Sequence, residues 1–333
     1  MRIGFTYDLQ TDPHDPWQGE YDPPATVEAI TRALSEAGHA VVPLASAAAL
    51  LRALAHRTAI LPVDVVFNIA EGRRGRCRES WVPTLLDLMG VPYTGSGPAA
   101  LALALDKLTT KQLCYAHGIS TPRWLQVAPG ARAPSSVSLR FPLIVKPRHE
   151  GSAMGIDADA VVHTEAALAR RVQWALETFR EPVLIEEFIV GGEATVCVIG
   201  NDPPEALPVI ARPIEPRTGL AWHAVTASQP EATTATVSVA LTTALEATLQ
   251  RSAVEVFTLI GCRDLARVDF RITPTGDAFF LEINPLPNLS PSDCFGLMSE
   301  YLGMGYAGMI QQILAVAIAR HAGAPTPPVP CRR

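Results

Sequence analysis

The chain has 333 residues, of which 48% are hydrophobic and 18% charged, and this composition excludes a wholly disordered protein. Its net charge of -6 argues against a nucleic-acid-binding protein, which would usually carry an excess of basic residues. Apolar runs stay well below the roughly 20 residues that a membrane span needs, and the N-terminus lacks a signal-peptide pattern. We therefore expect a cytoplasmic protein that binds neither nucleic acid nor membrane.

Alternating strand and helix signals fill the first third of the chain. Short apolar runs predict three strands, at residues 3–7, 39–44 and 63–68. Helical patterns follow each strand, at residues 24–37, 47–55 and 82–89. This order is typical of a small parallel α/β sheet, in which ligands bind beyond the carboxyl ends of the strands. The loops 8–22 and 70–80 leave those ends and are therefore candidate site loops.

A run of small turn residues at 95–98 predicts a domain boundary, and beyond it one long helix is expected over 99–117. Further strands are predicted at 123–127, 143–146, 161–163, 183–187 and 193–199. Further helices are predicted at 165–178, 239–260 and 306–321. The proline-rich tail, 324–333, is predicted to be disordered. The fold class is therefore α/β, with α+β character in the central and C-terminal parts.

The segment 265–285 predicts a β-hairpin with one polar face. Side chains alternate along a strand, so Arg267 and Asp269 share a face, and Glu282 and Asn284 share a face of the return strand. The apolar residues expected on the other face of the return strand are Phe279, Leu281 and Ile283. Two carboxylates and an amide oxygen suit Mg²⁺ better than zinc. A solvated polar face with ordinary cross-strand ion pairs is the alternative interpretation.

Two lysines and a glycine-bounded loop suggest phosphate binding. Lys146 ends an apolar strand, and the following loop, 150–156, contains small residues that would let backbone N–H groups approach a phosphate. A flexible turn is the alternative interpretation of this loop. Lys107 follows Asp106 in the predicted long helix, where a surface ion pair is the alternative. A strand ending in two acids, Glu186 and Glu187, could place backbone amides against an adenine edge.

Eight stretches, taken in order, resemble a known family of enzymes. The stretches are residues 91–97, 105–111, 145–147, 150–155, 185–188, 192–196, 261–269 and 281–285. Together they resemble the ATP-grasp superfamily and, within it, the D-alanine–D-alanine ligase group. The resemblance implies a three-domain ATP-grasp fold that forms a homodimer. Its domains would be an N-terminal parallel α/β domain at 1–97, a central ATP-grasp subdomain at 98–190 and a C-terminal one at 191–323.

The resemblance also implies a role for each candidate residue. The residues implied to contact ATP are Lys107 and Lys146 at the phosphates, Glu186, Glu187, Phe188 and Ile189 at the adenine, and Glu193 at the ribose. The implied ligands of two Mg²⁺ ions, for which Mn²⁺ is an alternative, are Asp269, Glu282 and Asn284. Arg267 would stabilise an oxyanion, and Ser152 would lie in a mobile loop over the phosphates. Glu20 is a candidate for holding the amino group of the first substrate.

Enzymes of this group use ATP to phosphorylate a carboxylate, and an amine then attacks the acyl phosphate. The resemblance therefore implies an ADP-forming carboxylate–amine ligase acting on amino acids or similar small carboxylates. Three alternatives stay open at this point. They are a specialised dipeptide or natural-product ligase that does not use D-alanine, a degenerate ATP-binding regulatory module, and a kinase-like member that stops at the acyl phosphate.

The sequence departs from the family pattern at positions that bear on the substrates. Asn288 and Asp293 stand where the family has a glycine and a serine, and an aspartate would repel the carboxylate of a second D-alanine. The first domain has a cluster of arginines where a histidine–glycine loop is usual. The members of this cluster are Arg73, Arg74, Arg76 and Arg78. Its alternatives are a solvated surface and a site for a substrate carboxylate.

Overall fold

The structure is a computed structural model that describes residues 1–55, 62–131, 134, 137–221 and 241–329. Its strands form three sheets. In chain order the strands are β1 Arg2–Thr6, β2 Ala40–Pro43, β3 Val65–Asn68, β4 Trp124–Val127, β5 Leu143–Pro147, β6 Val161–Val162, β7 Val183–Glu187, β8 Gly192–Gly200, β9 Pro204–Ala206, β10 Ile210–Arg212, β11 Leu265–Ile272 and β12 Ala278–Asn284. The α-helices of the described residues are α1 Pro24–Glu36, α2 Ala47–Ala55, α3 Trp81–Met89, α4 Pro98–Leu105, α5 Lys107–Ala116, α6 Glu165–Phe179, α7 Thr243–Ile260, α8 Cys294–Tyr301 and α9 Gly305–His321.

The first sheet has the strand order β2-β1-β3, and both of its pairings are parallel. β1 contributes Ile3 and Phe5 to the core, where they pack with Ile30 and Leu34 of α1. These two α1 residues are four positions apart and therefore share a helix face. α1 begins at Pro24, a residue that suits the first turn because that turn needs no N–H donor there. The predicted parallel α/β part is confirmed.

The second sheet has the order β4-β7-β5-β6 and is antiparallel throughout. α6 packs on it through Leu168, Val172 and Leu176, which lie on one helix face. Glu186 of β7 pairs with Ile144 of β5, two residues before Lys146. Since side chains alternate along a strand, Lys146 and Glu186 point to the same face of the sheet.

The third sheet is also antiparallel, with the order β10-β8-β11-β12 and with β9 paired to β8. α7 covers one face of it with Leu249, Val256 and Phe257. Thr242 caps α7 by accepting a hydrogen bond from the N–H of Leu245. On the opposite face, Cys197 and Ile199 are buried in the core formed with α8 and α9, whereas Arg267 and Asp269 line a cavity.

The hairpin of β11 and β12 departs from simple alternation at Leu281. Asp269 lies opposite Glu282, and the register then shifts by one residue, so Leu281 has no partner on β11. Such a β-bulge reverses the faces of the residues beyond it. Phe280 is therefore buried in the core, whereas Phe279 is only partly buried and Leu281 lines a cavity. The prediction that Phe279 and Leu281 share the core face is wrong.

The helix predicted over 99–117 is divided into α4 and α5. Asp106 has ψ of 88°, which is not helical, and its side chain caps α5 by accepting a hydrogen bond from the N–H of Thr109. The same carboxylate binds the guanidinium of Arg148 through two hydrogen bonds of 2.6 and 2.7 Å. The prediction of one continuous helix is therefore wrong, and the break places Lys107 at the first position of α5.

The chain after α9 packs back onto that helix. The side-chain amide of Gln312 donates a hydrogen bond to the carbonyl oxygen of Pro327 at 2.9 Å, and Val329 is buried in the core. Residues 324–329 therefore differ from the disorder predicted for the tail, because these contacts hold them against α9. Residues 330–333 lie outside the described part of the chain.

Within the described residues, no single helix is long and apolar enough to cross a membrane. Only α8 and α9 taken together meet the length and composition of a span, and they are bent by 111° at their junction. α9 is also a core helix, since Met309, Ile313 and Val316 are buried against the first sheet.

The predicted domain boundaries fall between elements of the structure. Residue 97 directly precedes α4, and residue 190 lies between β7 and β8. The first sheet and α9 nevertheless share one core, in which Ile3 and Phe5 lie with Ile310. The division into 1–97, 98–190 and 191–323 stays a prediction.

Candidate active site

One cavity of about 270 Å³ brings the candidate site residues together. It lies between the loop after β1, the hairpin of β11 and β12, and residues 150–156, which we call the glycine loop. The candidates that line it are Glu20, Lys107, Lys146, Ser152, Glu186, Glu187, Phe188, Ile189, Glu193, Arg267, Asp269, Glu282 and Asn284. Every site residue predicted from the sequence therefore faces the same space, and their individual roles stay predictions.

The hairpin provides two facing carboxylates. Asp269 of β11 is paired in register with Glu282 of β12, and Arg267 is paired with Asn284 one step along the same face. Thr195 of β8 donates a hydrogen bond of 2.7 Å to Asp269. Because three adjacent strands fix these positions, the two carboxylates are held in place by the sheet itself.

Cationic side chains surround the two carboxylates. Nζ of Lys107 lies 3.3 Å from an oxygen of Glu282, and Nε of Arg267 donates a 2.9 Å hydrogen bond to Asp269. Burial alone would raise the pKa of Glu282, but Lys107, Lys146 and Arg267 together lower it to about 2. Burial likewise opposes the charge of Arg267, yet Asp269 and its other acidic neighbours raise its pKa well above the ordinary value. Glu282 and Arg267 are therefore both charged at neutral pH.

The donor set of the hairpin fits a hard divalent cation. Asp269 and Glu282 offer carboxylate oxygens, which are preferred ligands of Mg²⁺. The side-chain oxygen of Asn284 accepts a 2.9 Å hydrogen bond from the N–H of Leu286, so its remaining lone pair is the one that faces a ligand. Among the described residues, no three His, Cys, Asp or Glu side chains form a preassembled metal cluster. Asp269, Glu282 and Asn284 would therefore hold a divalent cation through two carboxylates and one amide oxygen.

Two buried lysines share one buried glutamate below the glycine loop. Glu186 is 1% exposed, and Nζ of Lys146 and Nζ of Lys111 lie 3.1 and 3.2 Å from its Oε1. Burial raises the pKa of Glu186, but the two ammonium groups outweigh burial and lower it. Burial lowers the pKa of Lys111 to about 8, despite the attraction of Glu186. Glu186 therefore positions Lys146, which lines the cavity, rather than presenting its side chain to a nucleotide base.

Glu20 connects the loop after β1 to the glycine loop. Its carboxylate accepts two hydrogen bonds from Arg78, of 2.6 and 2.9 Å, and a third of 3.0 Å from the N–H of Gly151. A Cβ atom at residue 151 would collide with this carboxylate, so glycine is required there. Ser152 has φ of 44°, a left-handed conformation that is uncommon for serine. The loop is thus held in an unusual shape above the lysines.

The arginine cluster divides into two kinds of residue. Arg73, Arg74 and Arg76 are exposed, as the solvated-surface interpretation expects. Arg78 is 3% exposed, binds Glu20, and donates a 3.0 Å hydrogen bond to the carbonyl oxygen of His149. Arg78 therefore pairs with a carboxylate of the protein itself.

A second group of cavity residues contains Phe188, Ile189 and Glu193. The guanidinium of Arg271 lies 4.7 Å from the ring centroid of Phe188 and donates hydrogen bonds of 2.8 and 3.0 Å to the carbonyl oxygen of Ile189. Glu193 lies 3.4 Å from Arg271, and burial raises its pKa to about 7. The carboxylate of Glu187 accepts hydrogen bonds from the backbone and side chain of Arg140. An aromatic ring, backbone groups and an acid are therefore grouped together here.

Asp293 faces the cavity near Arg267 but is not an isolated charge. It caps α8 by accepting a 2.6 Å hydrogen bond from the N–H of Cys294, and it lies 3.6 Å from Arg212. Although burial opposes ionisation, Arg267 and these contacts lower the pKa of Asp293. Asp293 is therefore ionised at neutral pH and lies near compensating arginines, and Asn288 lines the same cavity.

Comparisons with known proteins identify the family. The model of the D-Ala–D-Ala ligase C-terminus matches residues 113–315. A D-alanine–D-alanine ligase of Syntrophotalea carbinolica is 37% identical, over 89% of this chain and 91% of that protein. The chain belongs to the D-alanine–D-alanine ligase family. Members of this family are ATP-dependent ligases that form a carbon–nitrogen bond, and the prediction of such a ligase is confirmed.

The chain is also similar to a second relative and to a solved structure. An uncharacterized protein of Sinorhizobium fredii, y4sG, is 34% identical over 97% of this chain and 94% of its own length. A solved D-alanine–D-alanine ligase of Bacillus anthracis, crystallised with ATP, matches with a TM-score of 0.75 at 20% identity over 97% of this chain and 99% of that one. At that identity the likeness concerns the fold, and the predicted ATP-grasp fold is confirmed.

Several residues of the ligase cavity were not predicted from the sequence. Lys111 is completely buried and does not line the cavity itself, but it contacts Glu186, which does; its position one helical turn after Lys107 was the only signal in the sequence. Arg271 alternates with Arg267 and Asp269 on β11, which places it on the same face. Asp22 and Glu71 are carried by the two candidate site loops, but nothing in their immediate sequence marks them as cavity residues.

Proposed function

We propose that this ligase joins two small amino acids, using ATP to activate the carboxylate of the first. A carboxylate oxygen would attack the γ-phosphorus, ADP would leave, and the amine of the second amino acid would displace phosphate from the acyl phosphate. One observation carries the proposal: two lysines, two facing carboxylates and an arginine all line one cavity. This set supplies the positioning and charge neutralisation on which phosphoryl transfer depends.

The proposed roles follow from the contacts in the cavity. Lys146 and Lys107 would bind the phosphates of ATP, because their ammonium groups are held there by Glu186 and Glu282. Arg267 would stabilise the oxyanion formed when the amine attacks. Its guanidinium is fixed by a 2.9 Å hydrogen bond to Asp269 and needs no reorganisation during the reaction.

Two further groups bind ATP in this proposal. Phe188 and the backbone from Glu186 to Ile189 would contact the adenine, and Glu193 the ribose. Ser152 and the glycine loop would cover the phosphates with backbone N–H groups. Asp269, Glu282 and Asn284 would hold two Mg²⁺ ions, or Mn²⁺ in their place, which would neutralise charge on the transferred phosphoryl group.

The setting of the enzyme is also a proposal. We infer that it works in the cytoplasm on small-molecule substrates, without nucleic acid or membrane, and as a homodimer. The exposed Trp81 and Leu88 lie seven residues apart on one face of α3 and support a contact between two copies. Sedimentation velocity of the parent and of Leu88→Asp tests this surface, since the charged variant is expected to be monomeric.

D-Alanine is the first substrate to test, because the named relatives are D-alanine–D-alanine ligases. The experiment measures phosphate release from MgATP with single and paired D- and L-amino acids, and records product masses. Arg267→Ala is expected to lose turnover, whereas the exposed Arg263→Ala, outside the cavity, is the matched control. The proposal fails if no pair releases phosphate, or if Arg267→Ala turns over as fast as the control.

A further inference from the structure

Four acidic side chains line the cavity beside the glycine loop. We call them the acidic wall, and they are Glu20, Asp22, Glu71 and Glu150. A fifth acid, Glu79, is buried next to Glu71, where burial and neighbouring acids raise its pKa to about 8. The four acids of the wall offer more acceptor oxygens than the three N–H donors of a single ammonium group can use.

Two members of the acidic wall are already paired within the protein. Glu20 accepts hydrogen bonds from Arg78 and from the N–H of Gly151, and Glu150 lies 3.5 Å from the same Arg78. The nearby Lys107 is engaged by Glu282 and by the carbonyl oxygen of Glu150. The cations next to the wall are therefore committed to other acids.

The other two members lack such partners. Neither Asp22 nor Glu71 makes a side-chain hydrogen bond or ion pair within the described part of the chain. Asp22 is only 6% exposed, and its backbone is fixed by hydrogen bonds with Asp8 and Gln10. Burial raises the pKa of Asp22 to about 7. Burial is also the largest cause of the raised pKa of Glu71. A buried carboxylate without a partner is unfavourable, so a cation that enters the cavity would bind here strongly.

The two carboxylates that lack a partner among the described residues, Asp22 and Glu71, indicate what kind of cation would bind to the acidic wall. An ordinary amino acid brings one ammonium group, for which Glu20 is the candidate, so Asp22 and Glu71 are left for a second cationic group. An organic cation on the substrate therefore explains the wall best, and its ammonium or guanidinium group can donate to both carboxylates.

We propose that one substrate of this ligase is a basic amino acid whose side-chain ammonium or guanidinium group is bound by Asp22 and Glu71. This inference rests on the proposed function, because it assigns a substrate class to the same cavity. Glu20 joins the wall to Gly151 of the glycine loop, so a molecule held there lies next to the place where phosphoryl transfer is proposed. The basic side chain thereby orients the reacting carboxylate.

The test compares amino acids that differ only in one charge. Calorimetry of the full chain with a non-hydrolysable ATP analogue and Mg²⁺ measures the binding of ornithine against norleucine and of 2,4-diaminobutyrate against norvaline, in both stereochemical series. At least one basic member is expected to bind about tenfold or more tightly than its uncharged match. In Asp22→Asn and Glu71→Gln this ratio is expected to fall towards one, and in the control Glu36→Gln, an exposed residue of α1, to stay unchanged.

Phosphate release is measured separately with the same compounds. Equal binding of charged and uncharged members, no binding of any basic amino acid, or a ratio that survives both substitutions overturns the inference. Turnover of D-alanine without any preference for a basic partner overturns it as well, and leaves the ligase function standing. Selective binding that both substitutions abolish supports the acidic wall, even where no phosphate is released and the proposed function fails.

Discussion

Replacing Glu186 by glutamine tests whether one buried carboxylate holds the two lysines of the site. Glu186 and Lys111 are almost completely buried, and both Lys111 and Lys146 lie within 3.2 Å of Oε1. At an effective dielectric constant of about 20, each contact amounts to about 5 kcal/mol of Coulomb attraction, much of which is offset by desolvation. Removal of one partner from a buried ion pair typically costs about 3–5 kcal/mol, and we expect Glu186→Gln to lose that much stability.

The neighbouring Glu187 provides a matched control, because it differs from Glu186 mainly in the exposure of its partners. Its ion-pair partners Arg123 and Arg140 are 58% and 82% exposed, so Glu187→Gln should cost less than about 1 kcal/mol. Denaturant unfolding of both variants gives the comparison. Equal losses in the two would refute the reasoning.

A dependence on pH makes the Glu186 prediction sharper. Without Glu186, the pKa of the buried Lys111 should fall below its present value of about 8. A lysine whose pKa is lower in the folded than in the unfolded state stabilises the fold above its unfolded pKa and loses this contribution as the pH falls. The unfolded-state pKa is the same in parent and variant, so the deficit of Glu186→Gln should be largest below the lowered pKa of Lys111 in the variant and should shrink as the pH rises through about 8. A constant deficit would show that charge is not its cause.

Three further predictions concern the cavity. Arg267→Ala should lower kcat about 10²- to 10³-fold, because the variant loses a hydrogen-bond donor to the oxyanion. Phosphate release measures kcat, and a change in KM alone would contradict this role. Glu282→Gln should raise the Mg²⁺ concentration for half-maximal phosphate release, and an unchanged Mg²⁺ titration would count against a ligand role. Burial raises the pKa of Asp22 from 3.8 to about 7, so its ionisation destabilises the fold as pH rises through that range. Asp22→Asn should therefore gain up to about 4 kcal/mol at pH 8 and nothing near pH 4 in unfolding experiments, and an equal gain at both would disprove the assignment.

The elements that could be predicted from sequence are those whose pattern is local. The apolar runs of β1 and β3 and the amphipathic face of α1 follow directly from residue spacing. The break at Asp106 depends on a cap and on Arg148, 42 residues further along the chain, so helix periodicity alone did not predict it. The bulge at Leu281 likewise depends on how β12 pairs with β11, which strand alternation does not encode.

The candidate site was predictable for a related reason. Chemically distinctive side chains on predicted strands, such as Lys146 and Asp269, indicate a site without knowledge of how the strands pair. The partners that hold them come from distant segments, and nothing near Glu20 in the sequence points to Arg78, 58 residues away. The site side chains can therefore be predicted from residue type, whereas the partners that hold them are known only from the tertiary structure.

The way the cavity balances its charges supports the acidic wall as a binding site. Each cationic side chain in or below the cavity forms an ion pair with a carboxylate. In most of these pairs the carboxylate comes from another secondary-structure element, and in one it lies two residues along the same strand. These pairs are Lys146 and Lys111 with Glu186, Lys107 with Glu282, Arg267 with Asp269, Arg271 with Glu193, and Arg78 with Glu20. Such pairing fixes the cations before a substrate enters, which is the arrangement expected for stabilising developing charge. Asp22 and Glu71 lack a protein partner in the described chain, and in a cavity otherwise so closely matched, the missing charge is best supplied by the substrate.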